Sequence, residues 1–131
     1  MSINKRYKFI ILGIISLFSG FLVYVFFRPN THISKLIYSL IGTSVEMSGS
    51  RFIRFYVADY LWGFSLSCWL YAIFLPRRRG SALCTLVVCV VGVGYESLQF
   101  FGVVSGTGDV IDCLMYLLAG LTVNILNIQR R

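Results

Sequence analysis

The five acidic residues of this chain, and their places relative to its apolar segments, are its most informative feature. They are Glu46, Asp59, Glu96, Asp109 and Asp112. All except Glu46 lie in or beside apolar stretches long enough to span a bilayer. Because charged groups in hydrocarbon are costly, such residues usually face a bundle interior or a water-filled cavity, where they mark function. The pattern predicts that a functional site lies among these carboxyl groups.

Carboxylate oxygens are the ligands that hard divalent cations prefer, so Asp59, Glu96 and Asp112 are candidate ligands for Mg²⁺ or Mn²⁺. Such an ion could hold the phosphate or pyrophosphate of a lipid-linked substrate. Two observations argue against an enzyme. No nucleophile paired with a base is recognisable, and Arg51 and Arg54 are the only basic residues predicted to lie where they could bind a phosphate near these carboxyl groups. No catalytic residue is predicted, and no cofactor is indicated other than a divalent cation.

The composition predicts a single membrane domain covering 1–131. Apolar residues make up 57% of the chain and charged residues 13%, which is far from the balance of a soluble domain. The net charge of +7 does not indicate a nucleic-acid partner, because the basic residues form short groups between apolar blocks and not one patch. The four cysteines lie inside apolar segments and lack the spacing of a zinc site.

Four apolar segments predict an all-α membrane protein, a four-span transmembrane helical bundle. The predicted spans are 7–27, 55–75, 81–101 and 110–127. The first is a retained span and not a cleaved signal peptide, because its apolar core is long and no small-residue cleavage site follows it.

The distribution of charge predicts the orientation. The amino terminus, the 76–80 loop and the carboxyl tail hold most of the Lys and Arg residues and no acidic residue. The positive-inside rule therefore places both termini in the cytoplasm and the acidic residues near the outer surface. In the first outer loop, apolar residues at helical spacing over 32–41 predict a short amphipathic helix, which ends at Gly42 and lies on the outer surface.

Small and polar residues recur at helical spacing in every span, which is how helices pack in lipid. These stripes are Gly13, Ser16, Gly20 and Tyr24 in the first span; Asp59, Gly63 and Ser67 in the second; Thr85, Cys89, Gly92, Glu96 and Gln99 in the third; and Asp112, Tyr116, Ala119, Gly120 and Val123 in the fourth. The acidic residues belong to the same faces, so we expect them to converge in the outer third of the bundle.

Structural roles could also explain these carboxyl groups. Asp109 precedes the fourth span and is a natural N-cap, while Asp112 lies in the first turn, where the helix dipole favours an anion. Glu96 has no such role, because it lies more than a turn before the end of its helix. Its structural alternative is a hydrogen bond or an ion pair with Arg51 or Arg54.

Three motifs resemble the VanZ-like membrane proteins of bacteria. They are Asp59-x-x-Trp62, Glu96-x-x-Gln99 and Gly106-Thr107-Gly108-Asp109-x-x-Asp112, and the resemblance covers about 51–124. Many relatives have a Gly-Arg pair where this chain has Gly106-Thr107, so Arg51 or Arg54 would have to supply that charge here. The family takes its name from a member linked to teicoplanin resistance, and no reaction is assigned to it. The resemblance implies a multi-pass protein of the bacterial plasma membrane.

Three functions remain open, and the same residues would serve each of them. The first is an envelope protein whose outward-facing polar pocket binds or modifies a surface component and lowers susceptibility to a lipoglycopeptide. The others are an accessory subunit of a membrane complex and a metal-dependent enzyme acting on a lipid-linked substrate. A transporter is less favoured, because four spans without repeats are few for alternating access. The candidate site comprises Asp59, Glu96, Gln99, Asp109, Asp112, Arg51, Arg54 and Tyr116.

Overall fold

The structure is a computed structural model that describes residues 2–28, 32–42, 49–50, 52–74, 78–104 and 108–128. These residues form helices and no strand. The helices are α1 (Ser2–Phe27), α2 (His32–Ile41), α3 (Ala58–Phe74), α4 (Arg78–Phe100) and α5 (Val110–Ile128), and a π-helical segment, Ile53–Val57, leads directly into α3.

Among the described residues, four helices are long and apolar enough to cross a membrane, which supports the prediction of a helical, multi-pass membrane protein. They cover Asn4–Phe27, Ile53–Phe74, Gly80–Phe100 and Val110–Ile128, within a few residues of the predicted spans. The short helix α2 lies between the first two of them in the chain. Its position at a membrane surface remains a prediction.

Glycines in the left-handed conformation end two of the helices. Gly102 has a φ of 72°, and the N–H groups of Gly102 and Val103 donate to the carbonyl oxygens of Gln99 and Leu98 at 3.0 and 2.9 Å. This is the Schellman arrangement, in which a residue without a Cβ adopts positive φ at little cost. Gly42, with a φ of 77°, ends α2 where the sequence predicts.

Helix α3 is the centre of the packing. It contacts α1, α4 and α5, and α5 also contacts α4. Within the described residues α1 contacts α2, α3 and the π-helical segment but neither α4 nor α5. The spans therefore form a cluster of α3, α4 and α5, with α1 on the far side of α3.

The interface between α1 and α3 is made by small residues and hydroxyl groups. Ser16 Oγ donates to the carbonyl oxygen of Leu61 at 2.8 Å, and Ser65 Oγ donates to the carbonyl oxygen of Gly13 at 2.9 Å. A Cβ placed on Gly13 would lie 3.3 Å from Cys68 Cβ, so the backbones approach closely. The predicted inward face of the first span is confirmed at Gly13 and Ser16.

The two ends of the molecule differ in what they bury. The apolar cluster includes Phe9, Tyr71 and Val123 and lies toward the end where α1 begins and α3 ends. At the opposite end, which we call the acidic end, α1 and α4 finish and α3 and α5 begin, and Glu96 and Asp112 are buried there. The end with the apolar cluster also buries a hydrogen bond from Asn127 to Ser81, so buried carboxyl groups are what distinguish the acidic end.

Candidate functional site

Three helices bring four carboxyl groups to the acidic end. Asp59 lies in the first turn of α3, Glu96 in the last turns of α4 and Asp112 in the first turn of α5, with Asp109 immediately before it. Glu96 is 6% exposed and Asp112 is 9% exposed. Asp112 lies near enough to Asp59, Glu96 and Asp109 for their charges to interact. We call these four residues the carboxyl cluster.

Asp109 links α4, α5 and the π-helical segment. Its backbone N–H donates to Glu96 Oε2 at 3.0 Å, and Tyr56 OH donates to its Oδ2 at 3.3 Å. Its Oδ1 accepts a hydrogen bond from the N–H of Ile111 at 3.0 Å, which is the geometry of an N-cap. The predicted capping role of Asp109 is confirmed. Glu96 accepts a hydrogen bond from the backbone of Asp109 and not from an arginine.

Gly108 allows this arrangement. A Cβ at this position would lie 2.7 Å from the carbonyl oxygen of Glu96 and 3.1 Å from Phe100 Cβ. A Cβ would thus force the chain away from α4 and lengthen the bond between Glu96 and the N–H of Asp109. The glycine before the aspartate is therefore required by close approach of the backbone.

Asp112 differs from Asp109 in its hydrogen bonds. Its Oδ1 is buried and has no hydrogen-bond partner among the residues described. A buried carboxylate oxygen without a donor is costly, and native proteins rarely leave one. This atom therefore needs a donor from outside the described residues.

The cation beside the cluster is Arg28, which sequence analysis did not place in the site. Its guanidinium lies 3.8 Å from Asp59 Oδ2 and donates from Nε and an Nη atom to the carbonyl oxygens of Arg54 and Phe55, at 2.8 and 2.9 Å. It also lies over the rings of Tyr24 and Phe55. Arg28 comes directly after α1, and antiparallel helices place the end of one span beside the start of the next. The antiparallel topology could therefore have been used to predict that Arg28 lies near the start of α3.

Of the two arginines predicted to pair with the carboxyl groups, Arg54 forms no ion pair within the described residues. Arg28–Asp59 is the ion pair there, Arg54 Nε is buried without a hydrogen-bond partner, and Arg51 lies outside the described residues. The physical reason is that Arg28, held by the carbonyl oxygens of Arg54 and Phe55, takes the place of the cation beside Asp59. Glu46 is also outside the described residues.

Tyr116 and Gln99 complete the predicted set. Tyr116 is buried between α3 and α4, where a Cβ on Gly63 or Gly92 would meet its ring at 3.0 or 2.5 Å, and it interacts electrostatically with Asp59 and other members of the cluster. Gln99 is half-buried in the last turn of α4. Tyr116 therefore lies one turn of α5 beyond Asp112, on the side away from the helix termini.

A divalent cation was considered from the sequence. Within the described ranges, no group of three or more His, Cys, Asp or Glu side chains is placed so that it could hold a metal ion. Asp59, Glu96 and Asp112 belong to those ranges and do not form such a group.

We expect Arg28→Lys to lower stability markedly, although it keeps the charge. Lysine lacks the planar fork that reaches two carbonyl oxygens and Asp59 together, so at least one charge-assisted hydrogen bond is lost, costing about 2 kcal/mol. Thermal unfolding in detergent, followed by tryptophan fluorescence, measures the effect. Lys35→Gln is the control, since Lys35 is exposed on α2 and should leave the midpoint unchanged. Equal midpoints for Arg28→Lys and the wild type would show that the fork is unimportant.

Comparison of the chain with protein-family models, with curated proteins and with solved structures finds no match. The likeness to VanZ-like proteins rests on the three motifs alone.

Proposed function

We propose that the protein is a VanZ-like integral membrane protein of the bacterial plasma membrane, with both termini in the cytoplasm and the acidic end facing outward. It binds or modifies a component of the cell envelope at the carboxyl cluster. Through that component it lowers susceptibility to lipoglycopeptide antibiotics such as teicoplanin. The resemblance to VanZ-like proteins supports a role in the cell envelope, and the burial of Glu96 and Asp112 supports the choice of the site.

The partnerless oxygen of Asp112 is the observation that carries this proposal. Bonds within the protein satisfy both oxygens of Asp109 and Oε2 of Glu96, whereas Asp112 Oδ1 is buried without a donor. An unsatisfied buried acceptor costs about 1–3 kcal/mol, and a donor supplied by a ligand would remove that cost. A site that binds a ligand explains why it remains available.

The position of the cluster suits an envelope component. Asp59, Asp109 and Asp112 lie at the starts of their helices and Glu96 near the end of α4, so in a membrane the cluster would lie close to the headgroups. Helix α2 is held to the same end, since Tyr38 OH donates to the carbonyl oxygen of Val25 at 2.7 Å. Its exposed residues include Leu36, Leu40 and Ile41 beside Lys35, as in a helix that lies at an interface.

The orientation predicts opposite labelling of two exposed positions. In a chain without its four native cysteines, Ser50→Cys should react with an impermeant thiol reagent added to intact cells, because it precedes α3 at the acidic end. Asn4→Cys, exposed at the start of α1, should react only after the membrane is opened. Labelling of Asn4→Cys and protection of Ser50→Cys in intact cells would reverse the topology and refute the outward site.

The function itself is tested by teicoplanin susceptibility. A sensitive host that expresses the chain should require a higher inhibitory concentration than the same host with an empty vector. Vancomycin, which lacks the lipid tail, is the comparison drug and should show a smaller change. Equal susceptibility to teicoplanin at verified membrane expression would refute the proposed function.

A further inference from the structure

We infer that Arg28 is a positioning residue, which holds the π-helical segment in the conformation that brings Tyr56 to Asp109. The inference goes beyond the proposed function, because it concerns how the acidic end is built and holds for whatever the carboxyl cluster binds. It follows from two backbone carbonyl oxygens that accept hydrogen bonds from the guanidinium of Arg28.

The π-helical segment interrupts a stretch that is otherwise α-helical. Phe52 before it and Ala58 after it have α-helical backbone angles, with a φ of −60° at both and a ψ of −49° and −48°. In a π-helix each carbonyl oxygen accepts from the N–H five residues later, whereas in an α-helix it accepts from the N–H four residues later. Where one pattern gives way to the other, one carbonyl oxygen is left without an N–H from its own helix. Such a segment needs a donor from elsewhere.

Arg28 supplies donors at this change of pattern. Its Nε donates to the carbonyl oxygen of Arg54 at 2.8 Å, and an Nη atom donates to that of Phe55 at 2.9 Å. In a regular α-helix these two oxygens would accept from the N–H groups of Ala58 and Asp59. The planar guanidinium, with its donors in a fixed fork, reaches both oxygens at once. Arg28 therefore stabilises the π-helical segment against rewinding into an α-helix.

The position of Arg28 is itself held by its neighbours. Its backbone N–H donates to the carbonyl oxygen of Tyr24 at 3.0 Å, and its own carbonyl oxygen accepts from Ser34 Oγ of α2 at 2.9 Å. Ser34 is fully buried. The guanidinium carbon lies 5.5 and 5.4 Å from the ring centres of Tyr24 and Phe55, which is the range of a cation–π contact. An arginine held at both its backbone and its guanidinium can fix the conformation of the segment that it contacts.

The conformation of the π-helical segment decides where Tyr56 points. Tyr56 lies within the segment, and its hydroxyl donates to Asp109 Oδ2 at 3.3 Å. A π-helix has more residues in each turn than an α-helix, so it advances by a smaller angle per residue. Rewinding would therefore rotate Tyr56 about the helix axis relative to α3. Because the hydroxyl lies far from that axis, the rotation would carry it away from Asp109.

Fluorine NMR of the full chain in detergent micelles, with 3-fluorotyrosine in place of tyrosine, tests the inference below the unfolding midpoint. Arg28→Lys keeps the charge but loses the fork, and it should shift the Tyr56 resonance towards that of the exposed Tyr7. The Tyr56 resonance is assigned by its loss in Tyr56→Phe. The resonance of Tyr71, whose hydroxyl donates to the carbonyl oxygen of Ser81 at the other end of the molecule, should not move.

Ser65→Ala is the matched control, because it also removes a hydrogen bond between the first two spans. Ser65 Oγ donates to the carbonyl oxygen of Gly13 at 2.9 Å, away from the π-helical segment. This variant should unfold at a lower temperature without moving the Tyr56 resonance. A Tyr56 resonance that stays in place in folded Arg28→Lys would overturn the inference, and so would an equal shift in Ser65→Ala.

Exchange of arginine side-chain protons in the wild-type chain is a second measurement, which needs no substitution of Arg28. The Nε–H of Arg28 is hydrogen-bonded and Arg6 is exposed. The Nε–H of Arg28 should therefore exchange with water about ten-fold more slowly than that of Arg6. Equal exchange rates would overturn the inference even where Arg28→Lys fails to fold.

Discussion

Asp112→Asn and Glu96→Gln should each abolish the protection against teicoplanin while the protein still inserts and accumulates. Both changes keep the size of the side chain and remove its charge. The amide oxygen of Gln at position 96 can still accept from the N–H of Asp109, so the turn before α5 should survive. Asparagine at position 112 replaces a carboxylate whose Oδ1 has no donor within the described residues, so little internal bonding is lost. The expected loss is therefore functional and not structural.

Inhibitory concentrations, read beside membrane levels of each variant, measure this effect. Asp109→Asn is the control with the same chemical change, and it should be the mildest of the three, because asparagine caps a helix about as well as aspartate. Normal accumulation with unchanged protection in both main variants would refute the site. Loss of accumulation in both would show that these carboxyl groups only hold the helices together.

Gly92→Ala should strongly destabilise the cluster of α3, α4 and α5. The added Cβ would lie 2.5 Å from Tyr116 Cγ, and two further atoms of Tyr116 would be within 2.8 Å. The ring has little room to retreat, because it packs closely against the backbone of Gly63, where even a single added Cβ would lie 3.0 Å from it. Overpacking of this kind costs about 1–3 kcal/mol, which outweighs the gain of about 1 kcal/mol from replacing a helical glycine.

Thermal unfolding in detergent measures the loss, and Gly94→Ala provides a matched control in the same helix. A Cβ at Gly94 meets nothing within 4 Å, so that variant should be as stable as the wild type or more stable. Because Glu96 follows Gly92 by about one turn, and Tyr116 follows Asp112 by one turn, Gly92→Ala should also weaken teicoplanin protection. Equal stability of the two alanine variants would mean that α4 and α5 do not approach as closely as described.

The number of spans and their inward faces could be predicted from the sequence because both are local properties. Apolar length decides which segments can cross a membrane, and helical periodicity decides which residues share a face. Gly13, Ser16, Gly92 and Tyr116 are buried at helix contacts for this reason. The N-cap at Asp109 is local in the same way, because it depends only on the residues that follow it.

The partners within the acidic end depend on how helices distant in sequence are placed, and only the tertiary structure decided them. The sequence alone made Arg51 or Arg54 the expected cation for the carboxyl groups, whereas Arg28 lies beside Asp59 from the end of α1. Of the other three spans, α1 packs only against α3. The small residues of α1 predict that it packs against a helix but do not tell which one. The same holds for Asp109 and Asp112, which are three residues apart. Tyr56 of the π-helical segment and the N–H of Ile111 donate to the carboxylate of Asp109, whereas no described residue donates to Oδ1 of Asp112.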